Sequence, residues 1–271
     1  MKYEKRVVVF IDILGFRNHI NSTINSTING DEDNEEAIQH LHNALMVIRD
    51  VMDLDKEPEE RIAKSKVITQ FSDSIVISHI VSEPSEILYT LLEIQWLVSN
   101  LAFKGILCRG AIAVGKLIHN DKIIFGPGLV KAYEAETRAA MYPRVILHDS
   151  VISECSNAGA FVNDADSNIE FFHGVASPDE DGMFYIDYFE KCRYEFDYPD
   201  YDFPRYIQKL KEIIEIGLKS DRYDMLVKYG WLKTKFNDEI VETHTKADAL
   251  DYYKKEDSVL YNFYKNLKPI E

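Results

Sequence analysis

The amino-acid sequence predicts an α+β fold of the split βαβ, ferredoxin-like type with an antiparallel sheet, followed by a C-terminal helical extension. Two observations predict it. Through about residue 155, β-branched apolar runs and segments with apolar residues at helical spacing follow one another in the order β-α-β-β-α-β. From about residue 202 the chain is rich in Lys and Glu and is helical in pattern. We therefore predict one domain over 1–200 and a helical extension over 201–271 that packs on it.

The elements of the first domain follow from local patterns. The predicted strands are RVVVFIDILGF (6–16), KVITQF, SIVISHI, GILCRGAIAVGKLIH, KIIF and RVILH. The predicted helices lie over 35–52, 84–103 and 126–141. The polar segment NSTINST (21–27) is expected to be a loop or a helix end. The stretch from NIEFFHG to DGMFYIDYFEKC (168–192) is expected to be a hairpin with a polar turn.

Charge and composition exclude several classes of function. The net charge of −15 repels nucleic acid and anionic membranes, so a polyanionic substrate would need a bound metal or a few well-placed Arg and Lys side chains. No stretch approaches 18 consecutive apolar residues, and no secretion signal precedes the first strand. The three cysteines are widely spaced and form no CxxC pair, which is typical of reduced thiols. We expect a cytoplasmic protein without nucleic-acid or membrane partners.

Two aspartates stand at the ends of β-rich runs. Asp12 ends VVVFID, and Asp73 lies in the turn of the hairpin ITQFSDSIVIS. On the predicted topology the two carboxylates approach each other at one edge of the sheet, where they repel unless a cation lies between them. Mg²⁺ or Mn²⁺ suits such an oxygen site, and two such ions promote attack on a phosphoryl group. The alternative is that Asp12 caps a helix and Asp73 is only a turn residue.

These residues carry a family resemblance over about residues 6 to 150. FIDILGF (10–16) resembles the opening signature of class III nucleotide cyclase domains, and FSDSIVIS (71–78) is similar to the hairpin that carries their second metal-binding aspartate. More narrowly, FSDS, RGAIAVG, FGPGLVKAYEAE and YPRVIL, in this order, resemble the pyrimidine cyclases of bacterial Pycsar anti-phage systems.

The resemblance implies a reaction and its partners. The ribose 3′-hydroxyl of UTP or CTP would attack the α-phosphate, releasing pyrophosphate and a 3′,5′-cyclic nucleotide. Two Mn²⁺ or Mg²⁺ ions would assist. The product would be a second messenger in anti-phage defence and would act on a separate effector protein gated by the cyclic nucleotide. A homodimer is implied, in which the helix at 126–141 of one subunit completes the site of the other.

The resemblance also implies roles for individual residues. Asp12 and Asp73 would bind both metals, with the Ile13 carbonyl as a further ligand. The turn at Gly15, Phe16 and Arg17 would offer backbone N–H groups to the triphosphate.

The positions that contact the base in purine cyclases hold Thr69 and Ile123 here, which leaves room for a smaller base. The family's ribose-contacting Asn and transition-state Arg align with Val130 and Glu134. Arg109 is the predicted substitute for the missing cation, at the pyrimidine or at the phosphate, and Lys131 is a second candidate. The sequence leaves UTP or CTP open, with UTP favoured.

Other functions remain as alternatives. A diguanylate-type cyclase shares the core topology, but FSDS lacks the two glycines and the second acid expected at its hairpin turn. A purine cyclase would require different residues at positions 69 and 123. A non-catalytic nucleotide-binding module is a third alternative, because the Asn and Arg positions are altered although both aspartates are present.

Overall fold

The computed structural model describes residues 2–27, 30–52, 64–82, 86–157 and 165–271. Its contacts divide the chain into two compact units, Met1–Ile186 and Asp187–Glu271. The sequence predicts this boundary at residue 200, 14 residues further along the chain. The first unit contains the sheet and all the candidate site residues.

The strands and helices of the first unit have the following bounds. The strands are β1 Glu4–Ile13, β2 Ile24–Thr27, β3 Gly30–Asp33, β4 Val67–Phe71, β5 Ser74–Ile80, β6 Cys108–His119, β7 Ile124–Phe125, β8 Val145–Leu147, β9 Ala176–Pro178 and β10 Phe184–Ile186. The helices are α1 Phe16–Ser22, α2 Glu35–Val51, α3 Glu86–Phe103, α4 Pro127–Ala139, α5 Asp149–Asn157 and α6 Ala165–Val175.

The main sheet has the order β4-β5-β1-β6-β8-β10-β9, with β7 paired to the end of β6. Its first four strands are antiparallel and have the order of the split βαβ arrangement, so the predicted α+β fold class is confirmed. Strand β8 runs parallel to β6, which makes the complete sheet mixed. The predicted antiparallel pairing therefore holds for every described strand pair of the sheet except β6 and β8.

The centre of the sheet is buried on both faces because β1 has apolar residues on both sides. Val7, Val8 and Val9 are all fully buried. Helix α4 packs on the face that includes Val8, and two glycines allow it to come close to β6. A Cβ on Gly115 would lie 2.6 Å from the Cα of Gly128, so a side chain there would push α4 away. This close approach carries the C-terminal half of α4 toward the end of β1.

Two local predictions were only partly right. In NSTINST (21–27), Asn21 and Ser22 end helix α1, which is one of the expected alternatives, but Ile24–Thr27 form strand β2 of the small hairpin β2–β3. NIEFFHG belongs to α6 rather than to a strand, and only the β9–β10 part of that region forms a hairpin. In α6 the apolar residues Phe172 and Val175 are three apart and both are buried, which is helical spacing.

The second unit is helical, as predicted. It contains a 3-10 turn at Lys191–Glu195, α7 Pro199–Gly217, α8 Tyr223–Lys235, a π-helical turn at Phe236–Val241, α9 Glu242–Thr245, α10 Ala247–Glu256 and α11 Ser258–Asn266. Within the described part of the chain, no helix has the length and apolar character needed to cross a bilayer. The three cysteines are buried and free, consistent with the predicted reduced thiols.

Candidate active site

Asp12 and Asp73 lie at the same edge of the sheet. Asp12 is the second-last residue of β1 and is in register with Ser74, the first residue of β5. The backbone N–H of Ile13 donates to the carbonyl oxygen of Asp73 at 3.0 Å. The two-residue turn between β4 and β5 contains Ser72 at a φ of 57°, the only positive φ outside glycine in the described chain. The hairpin turn is therefore held against the end of β1.

The electrostatic environment of Asp12 is unfavourable to its own charge. Burial raises the pKa of Asp12 above its ordinary value, and the Arg109 guanidinium opposes that rise. The carboxylates of Asp73 and Glu136 raise the pKa further. Because two other carboxylates act on Asp12 and Arg109 is the one cation among the described residues that opposes them, a bound divalent cation would stabilise the ionised Asp12.

Arg109 lies on β6 directly across from Asp12. Its Nε–H donates to Asp12 Oδ2 over 3.4 Å, and the same nitrogen lies 2.7 Å from Glu136 Oε1. Neither of its Nη groups makes a hydrogen bond to the described residues, and the side chain is partly exposed. Arg109 thus offsets the charge of two carboxylates and still has four N–H bonds for a ligand.

Glu136 is the site residue that the sequence analysis missed. It lies on α4 and is only 2% exposed. Its Oε2 accepts from the Thr137 hydroxyl at 2.9 Å, while Oε1 has the ion-pair contact with Arg109 but no well-aligned hydrogen bond in the described chain. A sequence signal existed: Glu136 continues the buried face of Gly128 and Ala132 at intervals of four residues. A carboxylate on such a face needs a cationic partner.

The turn after β1 contains three further candidates, Gly15, Phe16 and Arg17. Gly15 has a φ of 69°, which is accessible to glycine at little cost, and it precedes the seven-residue helix α1. Its carbonyl already accepts the N–H of Asn18 at 2.7 Å. The turn follows Asp12 within a few residues, and its predicted contact with a triphosphate stays a prediction.

The remaining candidates lie in different places. Thr69 is on β4, and its hydroxyl contacts His119 Nε2 at 2.9 Å. Ile123 is 45% exposed in the turn between β6 and β7. Lys131 donates to the carbonyl of Val114 at 3.1 Å and lines an open groove of about 810 Å³ on the other side of α4. The structure does not bring Lys131 into the group around Asp12.

The donor set fits a hard divalent cation. Asp12, Asp73 and the Ile13 carbonyl supply oxygen atoms only, the ligands that Mg²⁺ and Mn²⁺ prefer. Among the residues described, no group of three or more His, Cys, Asp or Glu side chains is placed to hold a metal ion. Substrate phosphates and water would complete the coordination, as is usual for Mg²⁺ beside a nucleotide.

No protein-family model and no curated protein sequence matches the chain. Several solved structures are similar to it. A bacterial light-regulated adenylyl cyclase aligns with a TM-score of 0.39 at 13% identity, over 56% of this chain and 80% of the other.

The catalytic core of a rhodopsin-guanylyl cyclase with converted specificity, in complex with ATPαS, aligns with a TM-score of 0.44 at 13% identity, over 69% of this chain and 97% of the other. The adenylyl cyclase CyaB from P. aeruginosa aligns with a TM-score of 0.42 at 12% identity, over 69% and 95%. The α+β fold with its mixed sheet is similar to these cyclase catalytic domains.

Proposed function

We propose that the chain is a pyrimidine nucleotide cyclase that converts UTP or CTP to the 3′,5′-cyclic nucleotide and pyrophosphate. The observation that supports this most directly is the hydrogen bond from Ile13 N–H to the Asp73 carbonyl, because it holds two carboxylates at one sheet edge. Arg109 stands beside them with its Nη groups directed to no described residue. Paired carboxylates with a cation are suited to binding and cleaving a triphosphate.

The proposed mechanism assigns a role to each of these residues. Asp12, Asp73 and the Ile13 carbonyl would hold two Mn²⁺ or Mg²⁺ ions, whose charge favours ionisation of the ribose 3′-hydroxyl and stabilises the pyrophosphate that leaves. The Arg109 Nη groups would donate to phosphate oxygens, where negative charge develops during the reaction. Glu136 would keep the Arg109 side chain oriented while Asp12 binds metal. The new bond joins O3′ to the α-phosphorus, and the bond to the β-phosphate oxygen breaks.

The proposed preference for pyrimidines rests on Thr69 and Ile123. A purine site needs several donors and acceptors at the base edge, and selectivity is lost when those groups are missing. Thr69 offers one hydroxyl, and Ile123 offers no polar side-chain atom. The cyclic product would serve as a second messenger that a separate effector protein binds in anti-phage defence.

Incubation with Mn²⁺ and each of the four ribonucleoside triphosphates tests this function. We expect cyclic UMP or cyclic CMP and pyrophosphate, resolved by chromatography, with ATP and GTP at least about tenfold slower because their bases lack matching polar partners. Faster turnover of ATP or GTP would contradict the pyrimidine assignment. Absence of any cyclic product with all four substrates, while Mn²⁺ binds, would favour the non-catalytic module.

A homodimer is the second prediction. Helix α4 exposes Val130 and Tyr133 at 55% and 51%, and a partner subunit that completes the site would cover them. We expect Val130→Arg to shift the protein toward the monomer in sedimentation velocity and to lower turnover. Val227→Arg on α8 is the matched control, since Val227 is 54% exposed. A monomeric wild-type protein with full activity would contradict the shared site.

A further inference from the structure

A chain of hydrogen bonds ends at the Thr69 hydroxyl. Arg6 Nε donates to Ser78 Oγ at 3.0 Å, and Ser78 Oγ lies 2.8 Å from His119 Nδ1. His119 Nε2 then lies 2.9 Å from Thr69 Oγ1. Arg6, Ser78 and His119 are all buried, whereas Thr69 is half-buried on the edge strand β4. We call these four residues the Thr69 chain.

The Thr69 chain lies on the face of the sheet that also carries Asp12 and Arg109. Arg6 and Asp12 alternate on β1 with an even spacing, so both side chains lie on one face. Ser78 is in register with Val8 of that face, and Thr69 with Val76. The end of β6 reaches this face as well, since Leu117 packs in one cluster with Val8 and Val76. His119, two residues after Leu117, therefore lies beside Ser78 of β5.

The positions of the protons follow from what each group can donate. Arg6 Nε can only donate, so it occupies one lone pair of Ser78 Oγ. If His119 Nδ1 also donated to Ser78, the proton of that fully buried hydroxyl would have no acceptor among the described residues. Ser78 therefore donates to Nδ1, and the single ring proton of neutral His119 is on Nε2. That proton is donated to Thr69 Oγ1.

His119 is neutral under ordinary conditions. Burial lowers its pKa to about 4, the charge of Arg6 lowers it as well, and Asp121 opposes the effect weakly. A neutral ring has one N–H, so the direction of every bond in the Thr69 chain is set. The Thr69 oxygen accepts from His119, and its own proton is left to donate to a ligand.

We propose that the Thr69 chain makes the Thr69 hydroxyl a hydrogen-bond donor to the C4 carbonyl of uracil and thereby selects UTP over CTP. This inference rests on the proposed cyclase function and names its substrate. Uracil presents an acceptor at C4, whereas cytosine presents an amino donor there. Cytosine could donate its amino group only to the second lone pair of Thr69 Oγ1, which would leave the Thr69 proton without an acceptor in the described chain, so uracil is the better partner.

In this proposal Thr69, and not Arg109, contacts the base. Arg109 is held between Asp12 and Glu136, so its charge belongs to the acidic group. Thr69 has a partner only on its inner side in the described chain, namely His119. The selectivity of Thr69 therefore also depends on Arg6, Ser78 and His119, which do not contact the nucleotide in this proposal.

The test compares kcat/KM for UTP and CTP in the wild type, Thr69→Val and Ser78→Ala. Valine keeps the shape of threonine and removes the donor, so the UTP-to-CTP ratio should fall about tenfold. Ser78→Ala frees His119 to change tautomer and to accept the Thr69 proton, so the ratio should fall in the same direction. Ser99→Ala, another fully buried serine, is the control and should leave the ratio unchanged.

A ratio does not depend on the fraction of folded protein, so partial loss of stability does not obscure the result. Calorimetric affinities for the unreactive α,β-methylene analogues of UTP and CTP should change by the same factor. If the wild type cyclises pyrimidines but Thr69→Val leaves both ratios unchanged or raises them, the Thr69 inference is wrong and the cyclase function stands. If the wild type acts only on purines and binds neither analogue, both are wrong.

Discussion

Asp12→Asn and Asp73→Asn should each lower cyclase turnover by a factor of about a thousand or more, while the protein stays folded. Each change removes one of two carboxylates at the sheet edge where Ile13 N–H contacts the Asp73 carbonyl. A neutral amide binds a divalent cation much more weakly, so the positive charge that stabilises the transition state is lost. Turnover measured over a range of Mn²⁺ concentrations, together with calorimetry of Mn²⁺ binding to the free protein, checks this prediction.

Asp12→Asn should keep or raise the free energy of unfolding of the metal-free protein, although it lowers turnover. Burial and two neighbouring carboxylates raise the pKa of Asp12, which means that folding disfavours its ionised form. An uncharged side chain avoids that cost, so the metal-free variant should unfold at the same urea concentration as the wild type or higher. Asp251→Asn, an exposed aspartate of the second unit, is the control and should change neither property. Near-normal turnover of either site variant at low Mn²⁺ would overturn the two-metal assignment.

Much of the fold follows from patterns that are local in the sequence. The β-branched run at 6–16 and the helical spacing over 35–52 each identify their element without tertiary information. Once the order of elements is known, few sheet topologies remain, and the strand order β4-β5-β1-β6 is the expected one. The same reasoning places Asp12 beside Asp73. The predictions for 24–27 and 168–174 were wrong because a few residues do not distinguish a strand from a loop or from a helix.

The partners of the candidate residues could not be predicted, because tertiary packing selects them. Glu136 reaches Arg109 only because Gly115 and Gly128 let α4 approach the sheet. His119 is 50 residues from Thr69 in sequence and reaches it only because the end of β6 lies over β5. In the sequence, Glu136 is one of several acidic residues of a helix, and His119 is the last residue of a strand. Neither position by itself indicates a partner. A buried position on the α4 pattern was the one available signal for Glu136.

Arg109→Met should lower the free energy of unfolding by about 3 kcal/mol, because it leaves the Glu136 carboxylate buried without its cation. Glu136 is 2% exposed and lies 2.7 Å from Arg109 Nε. Adding Glu136→Gln to this variant removes the buried charge. The double variant should therefore recover about half of the lost stability, although it carries one more substitution. Urea unfolding of the wild type, Arg109→Met, Glu136→Gln and the double variant measures the coupling free energy between Arg109 and Glu136.

Arg138→Met provides the matched control for this cycle. Arg138 pairs with Glu134 one helical turn away, and their side chains are 75% and 48% exposed. Exposed pairs of this kind contribute about 0.5 kcal/mol or less, so the control should differ little from the wild type. If Arg109→Met were no more destabilising than Arg138→Met, the Arg109–Glu136 pair would not exist in solution. Recovery in the double variant, by contrast, requires that Glu136 is charged and buried beside Arg109, the arrangement that leaves the Nη groups for phosphate.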